Sequence, residues 1–131
     1  MPGYILACAK SCLAFTASHW RSLSGLALLL LTLLSLLPIP EQVPAGGNDK
    51  ILHLTAWGLA IVPAALALGV RVLPVAVLFL AISSIIEFLQ PLSGRTFEVA
   101  DMLANGVGLA LGALLGIVLR RWPGAAAPQE S

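Results

Sequence analysis

The stretch "ADMLANGVGLALGALLGIVLR", residues 100–120, carries an aspartate, an asparagine and four glycines through a segment otherwise apolar enough for a membrane. Asp101, Asn105, Gly108, Gly112 and Gly116 are separated by 4, 3, 4 and 4 residues. On a helix that spacing makes one stripe. A charge at the bilayer centre costs about 2.5–3.5 kcal/mol on insertion scales, so the polar end must face protein or water rather than lipid. The glycine end is a series of GxxxG steps, which lets a neighbouring helix come close. A helix of this design needs partner helices with polar tips at the same level.

The composition points the same way. Of 131 residues, 59% are hydrophobic and only 10% charged, against roughly 45–50% and 25% in soluble domains. So short a chain has too little interior to hide that much apolar surface from water. The formal net charge of +1 lacks the clustered basic face that nucleic acid requires. Cys8 and Cys12, a lone CxxxC, supply neither a disulfide framework nor a zinc pattern and read as small apolar residues.

Four apolar runs follow: residues 23–37, 51–70, 73–89 and 102–119. Lipid leaves no backbone polar group unpaired, so each run is expected to be a helix. The expected fold is an all-α integral membrane bundle of four transmembrane helices spanning residues 20–122. Arg71 and Val72 leave room only for a tight antiparallel hairpin between the second and third runs. Pro63 suggests a kink and Pro74 a helix start. Gly69 reads as an ordinary helix end that tolerates alanine. Residues 38–50 and 91–100 read as aqueous loops, and residues 123–131 as a disordered cytoplasmic tail. Residues 1–19, interrupted by Lys10, form a short amphipathic or disordered interfacial segment rather than a span or a signal peptide. With an even number of spans, Lys10, Arg21, Arg71, Arg120 and Arg121 share one side against Lys50 and Arg95 on the other. Five against two places both termini in the cytoplasm.

The other runs carry matching polar tips. Ser83, Glu87 and Gln90 fall at i, i+4 and i+7, and Asp49, His53, Ala56, Ala60 and Ala64 trace a second stripe. Asp49 also suits a helix cap. Arg95, in the loop between two runs, is near enough in sequence to reach Glu87 or Asp101. Lys50 reads either as an interfacial snorkeller or as a ligand contact, and Asn105 as interhelical glue or as part of the site. Trp20, Trp57 and Trp122 are interface or packing aromatics. Glu87 is the strongest functional candidate, because a carboxylate inside a span marks a site by default, with Arg95 or His53 as its partner. An internal ion pair that only locks the bundle is the structural alternative.

These residues together resemble the VanZ-like family of small bacterial membrane proteins: "DKILH" opening a span, then "EFLQ", then "GRTFEVADMLANGVGLALG". The resemblance rests on Asp49, Lys50, His53, Glu87, Gln90, Arg95, Asp101, Asn105, Gly108 and Gly112, covering roughly residues 49–112. Trp57 stands where the family often has tyrosine, and residues 1–19 have no counterpart in it. The family is named for an accessory protein associated with low-level resistance to the glycopeptide teicoplanin. The resemblance thus implies a bacterial inner-membrane, cell-envelope protein with an antibiotic-resistance association, and it implies no reaction.

The functional expectation is a polar extracytoplasmic site that binds an anionic envelope or lipid headgroup ligand, or a membrane protein partner, through Lys50, His53, Glu87, Gln90, Arg95, Asp101 and Asn105. No cofactor and no nucleic acid are expected, and a homo-oligomer is compatible with the sequence. The alternative is an enzyme acting on a lipid-linked substrate, with His53 as base or nucleophile, Glu87 and Asp101 as acid/base groups and Arg95 as anion stabiliser. A hard divalent cation held by Asp49, Glu87 and Asp101 is a minor version of that alternative. A transporter is disfavoured, because the cytoplasmic half carries no matching polar stripe.

Overall fold

The computed structural model describes residues 2–38 and 49–122, and all its regular elements are helices. The loop expected over residues 38–50 and the tail over residues 123–131 fall almost wholly outside the described residues. The elements are α1 (Pro2–Ser18), α2 (Trp20–Leu36), α3 (Asp49–Leu68), α4 (Leu73–Leu89) and α5 (Val99–Arg120). Single 3₁₀ turns, Gly69–Val72 and Gln90–Ser93, follow α3 and α4.

α3 continues through Pro63 as one helix, and Pro74 lies in the first turn of α4, where its missing N–H costs nothing. Asp49 opens α3 from inside the first turn, where a negative charge suits the positive end of the helix dipole.

Two stretches are long and apolar enough to cross a membrane, Asp49–Ser93 and Val99–Arg120, and a third arises if α1 and α2 count together. The first of these is 45 residues long and doubles back at Gly69–Val72. That reversal brings His53 of α3 within 3.6 Å of Glu87 of α4, so the two helices are antiparallel. The reversal also corrects the expectation for Gly69. Its φ of +60° is left-handed, and a Cβ there would sit 3.2 Å from Arg120 Cδ. Alanine at this position is therefore strained.

α5 runs parallel to α3, and the two form the most extensive helix contact of the fold. Their backbones touch because a Cβ on Gly108 would lie 2.9 Å from the Leu54 carbonyl carbon. A Cβ on Gly112 would lie 2.7 Å from the Gly58 carbonyl carbon, and one on Gly116 would lie 2.9 Å from Val62 O. Gly58 on α3 completes this face and was not part of the stripe read from the sequence; a Cβ there would meet Gly108 O at 3.0 Å. At the far end, Arg120 donates from Nη1 to Leu66 O at 3.0 Å and to Ala67 O, satisfying carbonyls that α3 leaves open at its C-terminus.

α1 is an ordered helix bent 75° from α2, and its Ala17 packs on Leu66 at that same end. Cys8 and Cys12 are exposed and unbridged. Trp57 is buried edge-on to Phe79, with ring centroids 6.4 Å apart. Trp20 packs against the core and under the Arg21 guanidinium, whereas Trp122 is half exposed.

Around the apolar core, Ser83, Glu87, Gln90, Asp101 and Asn105 are buried, while Leu29, Leu33, Leu78, Ile85, Leu103 and Leu114 are exposed. An apolar exterior that turns its polar groups inward is what a lipid solvent selects.

Candidate functional site

Three helix ends build one polar cluster. Parallel α3 and α5 bring Asp49, Lys50 and His53 beside Asp101 and Asn105. Antiparallel α4 supplies Glu87 from its last turn, and the loop after it supplies Arg95 and Glu98.

Asn105 is the hinge of the interior. Its Nδ2 donates to Glu87 Oε1 over a long 3.4 Å, so its Oδ1 faces the ring of His53, 2.9 Å from Nδ1. Nδ1 therefore donates to Asn105, and Nε2 lies on the other side of the ring, 3.9 Å from Asp49 Oδ1. Glu87 is 1% exposed, and its Oε2 has no hydrogen-bond partner among the described residues; the same holds for Gln90 Nε2.

The outer rim is ionic. Lys50 Nζ donates to Glu98 Oε2 at 2.8 Å and stands 3.6 Å from Asp101 Oδ1. The Lys50 hydrogen bond, reinforced by its charge, holds the Glu98 carboxyl below the usual carboxylate range. Lys50 is thus tied into the cluster rather than merely reaching for the interface. Glu98 was missed as a site residue by sequence reasoning. Its signal was the place immediately before α5, three residues ahead of Asp101 on the polar stripe.

Arg95 goes elsewhere than expected. Its ion pair is with Asp49 Oδ2 at 3.9 Å, not with Glu87 or Asp101. The tight turn at Gln90–Ser93, closed by Gly94 at φ +79°, aims the following residues back over the start of α3. Of the two partners expected for Glu87, His53 is the one that meets it, with Asn105 bonded to both.

The donor atoms of Asp49, His53 and Asp101 lie within 4.8 Å of one another. This set differs from the expected trio of Asp49, Glu87 and Asp101, because Glu87 stands behind His53 on its Nδ1 side.

A groove of about 260 Å³ leads to the cluster from between α2 and α3. Leu31, Leu34, Leu52, Ala56 and Trp57 give it an apolar wall; Ser35, Asp49, His53 and Arg95 close its polar end. Ala56, expected below the polar tip of the α3 stripe, lines this groove rather than the α5 contact.

Neither the curated proteins nor the solved structures contain a match to this chain. A protein-family model described as VanZ/LLP1 matches residues 4–120, which takes in α1 and so reaches well beyond residues 49–112. With nearly the whole bundle inside that match and the polar cluster at its centre, the chain belongs to the VanZ/LLP1 family.

Proposed function

We propose that the protein crosses the bacterial cytoplasmic membrane four times, with both termini in the cytoplasm, and uses its outward polar cluster to hold the anionic headgroup of an envelope lipid or lipid-linked intermediate. α2, α3, α4 and α5 alternate in direction, and Asp101 and Arg120 sit at opposite ends of α5. At 1.5 Å per residue their separation is about 28 Å, close to the hydrocarbon thickness of a bilayer. Arg71, Arg120 and Arg121 gather at the end away from the cluster, which supports that end as cytoplasmic.

The observation that carries the ligand reading is the groove. It joins an apolar wall to a polar end, the shape of an amphiphile. Arg95 lines that end, and its 3.9 Å contact with Asp49 is too long for a hydrogen bond. Its fork of donors suits a phosphate or carboxylate.

Native mass spectrometry of the detergent-purified protein tests this. Wild type should retain anionic phospholipid in preference to zwitterionic lipid, and both Arg95→Ala and the groove-filling Ala56→Trp should lose the preference. Equal adducts in all three proteins would refute the reading. Topology is checked separately at Ser93→Cys, which should react with a membrane-impermeant maleimide added outside the cell.

A catalytic version of the same site is favoured by His53, which lines the groove and whose ring is held through Nδ1 by Asn105, as suits a general base on a lipid-linked substrate. Release of phosphate from such lipids, abolished in His53→Gln, separates turnover from simple binding.

A further inference from the structure

We propose that Asp49, His53 and Asp101 form a binding site for one divalent first-row cation of the Zn²⁺ or Mn²⁺ kind. The inference goes beyond headgroup binding and does not depend on it. Three observations carry it.

The first is the donor set. Two carboxylates and an imidazole from two parallel helices offer three atoms within 4.8 Å of one another. Metal bonds to these donors run about 2.0–2.2 Å, which sets tetrahedral ligands roughly 3.3–3.5 Å apart. The 3.9 Å between His53 Nε2 and Asp49 Oδ1 lies within a small side-chain adjustment of that value. The mixture of oxygen and imidazole nitrogen suits Zn²⁺ or Mn²⁺ better than Mg²⁺ or Ca²⁺.

The second is an unsatisfied buried ligand atom. Asp101 is 3% exposed, and its Oδ1 has no hydrogen-bond partner among the described residues. Its nearest cation, Lys50 Nζ, stands at 3.6 Å because that ammonium is hydrogen-bonded to Glu98 at 2.8 Å. A buried carboxylate oxygen held short of any donor is costly unless something else meets it.

The third is the support behind the histidine. A metal-binding imidazole characteristically donates its other N–H to a fixed acceptor, which orients the ring. Nδ1 of His53 does this to Asn105 Oδ1 at 2.9 Å, and Glu87 anchors Asn105 in turn. In the neutral ring Nε2 then offers its lone pair on the Asp49 side, where a cation can bridge the two.

The test uses the full chain in detergent, titrated with Zn²⁺ or Mn²⁺ by calorimetry at neutral pH. The expected result is one saturable site per chain. Asp49→Asn, at the exposed edge of the cluster, should stay folded and weaken binding at least tenfold. His19→Ala, which removes the other histidine, should leave binding unchanged. Pulsed EPR of the wild-type Mn²⁺ complex should show an imidazole ¹⁴N coupling, a readout that needs no variant. Absence of saturable binding, an Asp49→Asn protein that binds like wild type, or a Mn²⁺ signal without nitrogen coupling overturns the proposal. Because none of these measurements involves lipid, loss of the headgroup reading leaves the cation result standing, and the reverse.

Discussion

Substituting Gly112 by alanine introduces one methyl group at the tightest point between α3 and α5. That Cβ would stand 2.7 Å from the Gly58 carbonyl carbon and 2.8 Å from Ile61 Cγ2, in direct conflict with Gly58 O. Carbon atoms in favourable contact sit about 3.5–4.0 Å apart, so the two helices must separate by roughly 1 Å. Such overpacking costs about 1–3 kcal/mol. Alanine also gains about 1 kcal/mol of helix propensity over glycine, which would mask part of the loss. Gly106→Ala on the same helix removes that ambiguity. Its Cβ meets only Leu80 Cδ1, at an ordinary 3.6 Å, so it takes the propensity gain without the clash. The difference between the two variants should therefore be about 1–3 kcal/mol, with Gly112→Ala the less stable, and Gly112→Leu should be worse than either. Reversible unfolding in mixed micelles measures this directly. Equal stability for Gly106→Ala and Gly112→Ala would refute the close-packed α3–α5 face.

Gly69→Ala should destabilise by about 1–2 kcal/mol in the same assay, because the left-handed turn excludes a Cβ. Arg120→Leu leaves the Leu66 and Ala67 carbonyls without their donor and should cost about 1–3 kcal/mol. The Glu98 carboxyl, held low by Lys50, contributes stability that is complete above the ordinary carboxylate pKa and lost as pH falls through the lower folded value. Unfolding between neutral and acid pH should therefore depend less on pH in Glu98→Gln than in wild type.

The apolar runs alone were enough to locate α2 to α5, whereas the stretch that forms α1 reads in the sequence only as a short amphipathic or disordered segment. The run 73–89 coincides with α4, and the run 102–119 lies inside α5, because in lipid a continuous apolar segment has only the helix to satisfy its backbone. The i, i+4 stripes likewise identified Asp101, Asn105, Glu87 and His53 as residues of one polar level, since a helix face is a local property of spacing. Partner choice is different, because it depends on helix direction and rotation, which no local pattern contains. Arg95 lay close in sequence to Glu87 and Asp101, yet the turn at Gly94 delivers it to Asp49. Glu98 extends the α5 stripe one turn ahead of Asp101, beyond the apolar run, yet it is Glu98 that holds Lys50. Gly58 lay outside the α3 stripe, yet the register of two parallel helices sets it against Gly108 and Gly112. The left-handed Gly69 belongs to the same class: only the demand that α4 fold back on α3, with Arg120 packed over the turn, imposes its positive φ. The sequence determined which faces are polar, small or apolar; the tertiary structure decided which atoms on those faces meet, because that depends on how whole helices pack.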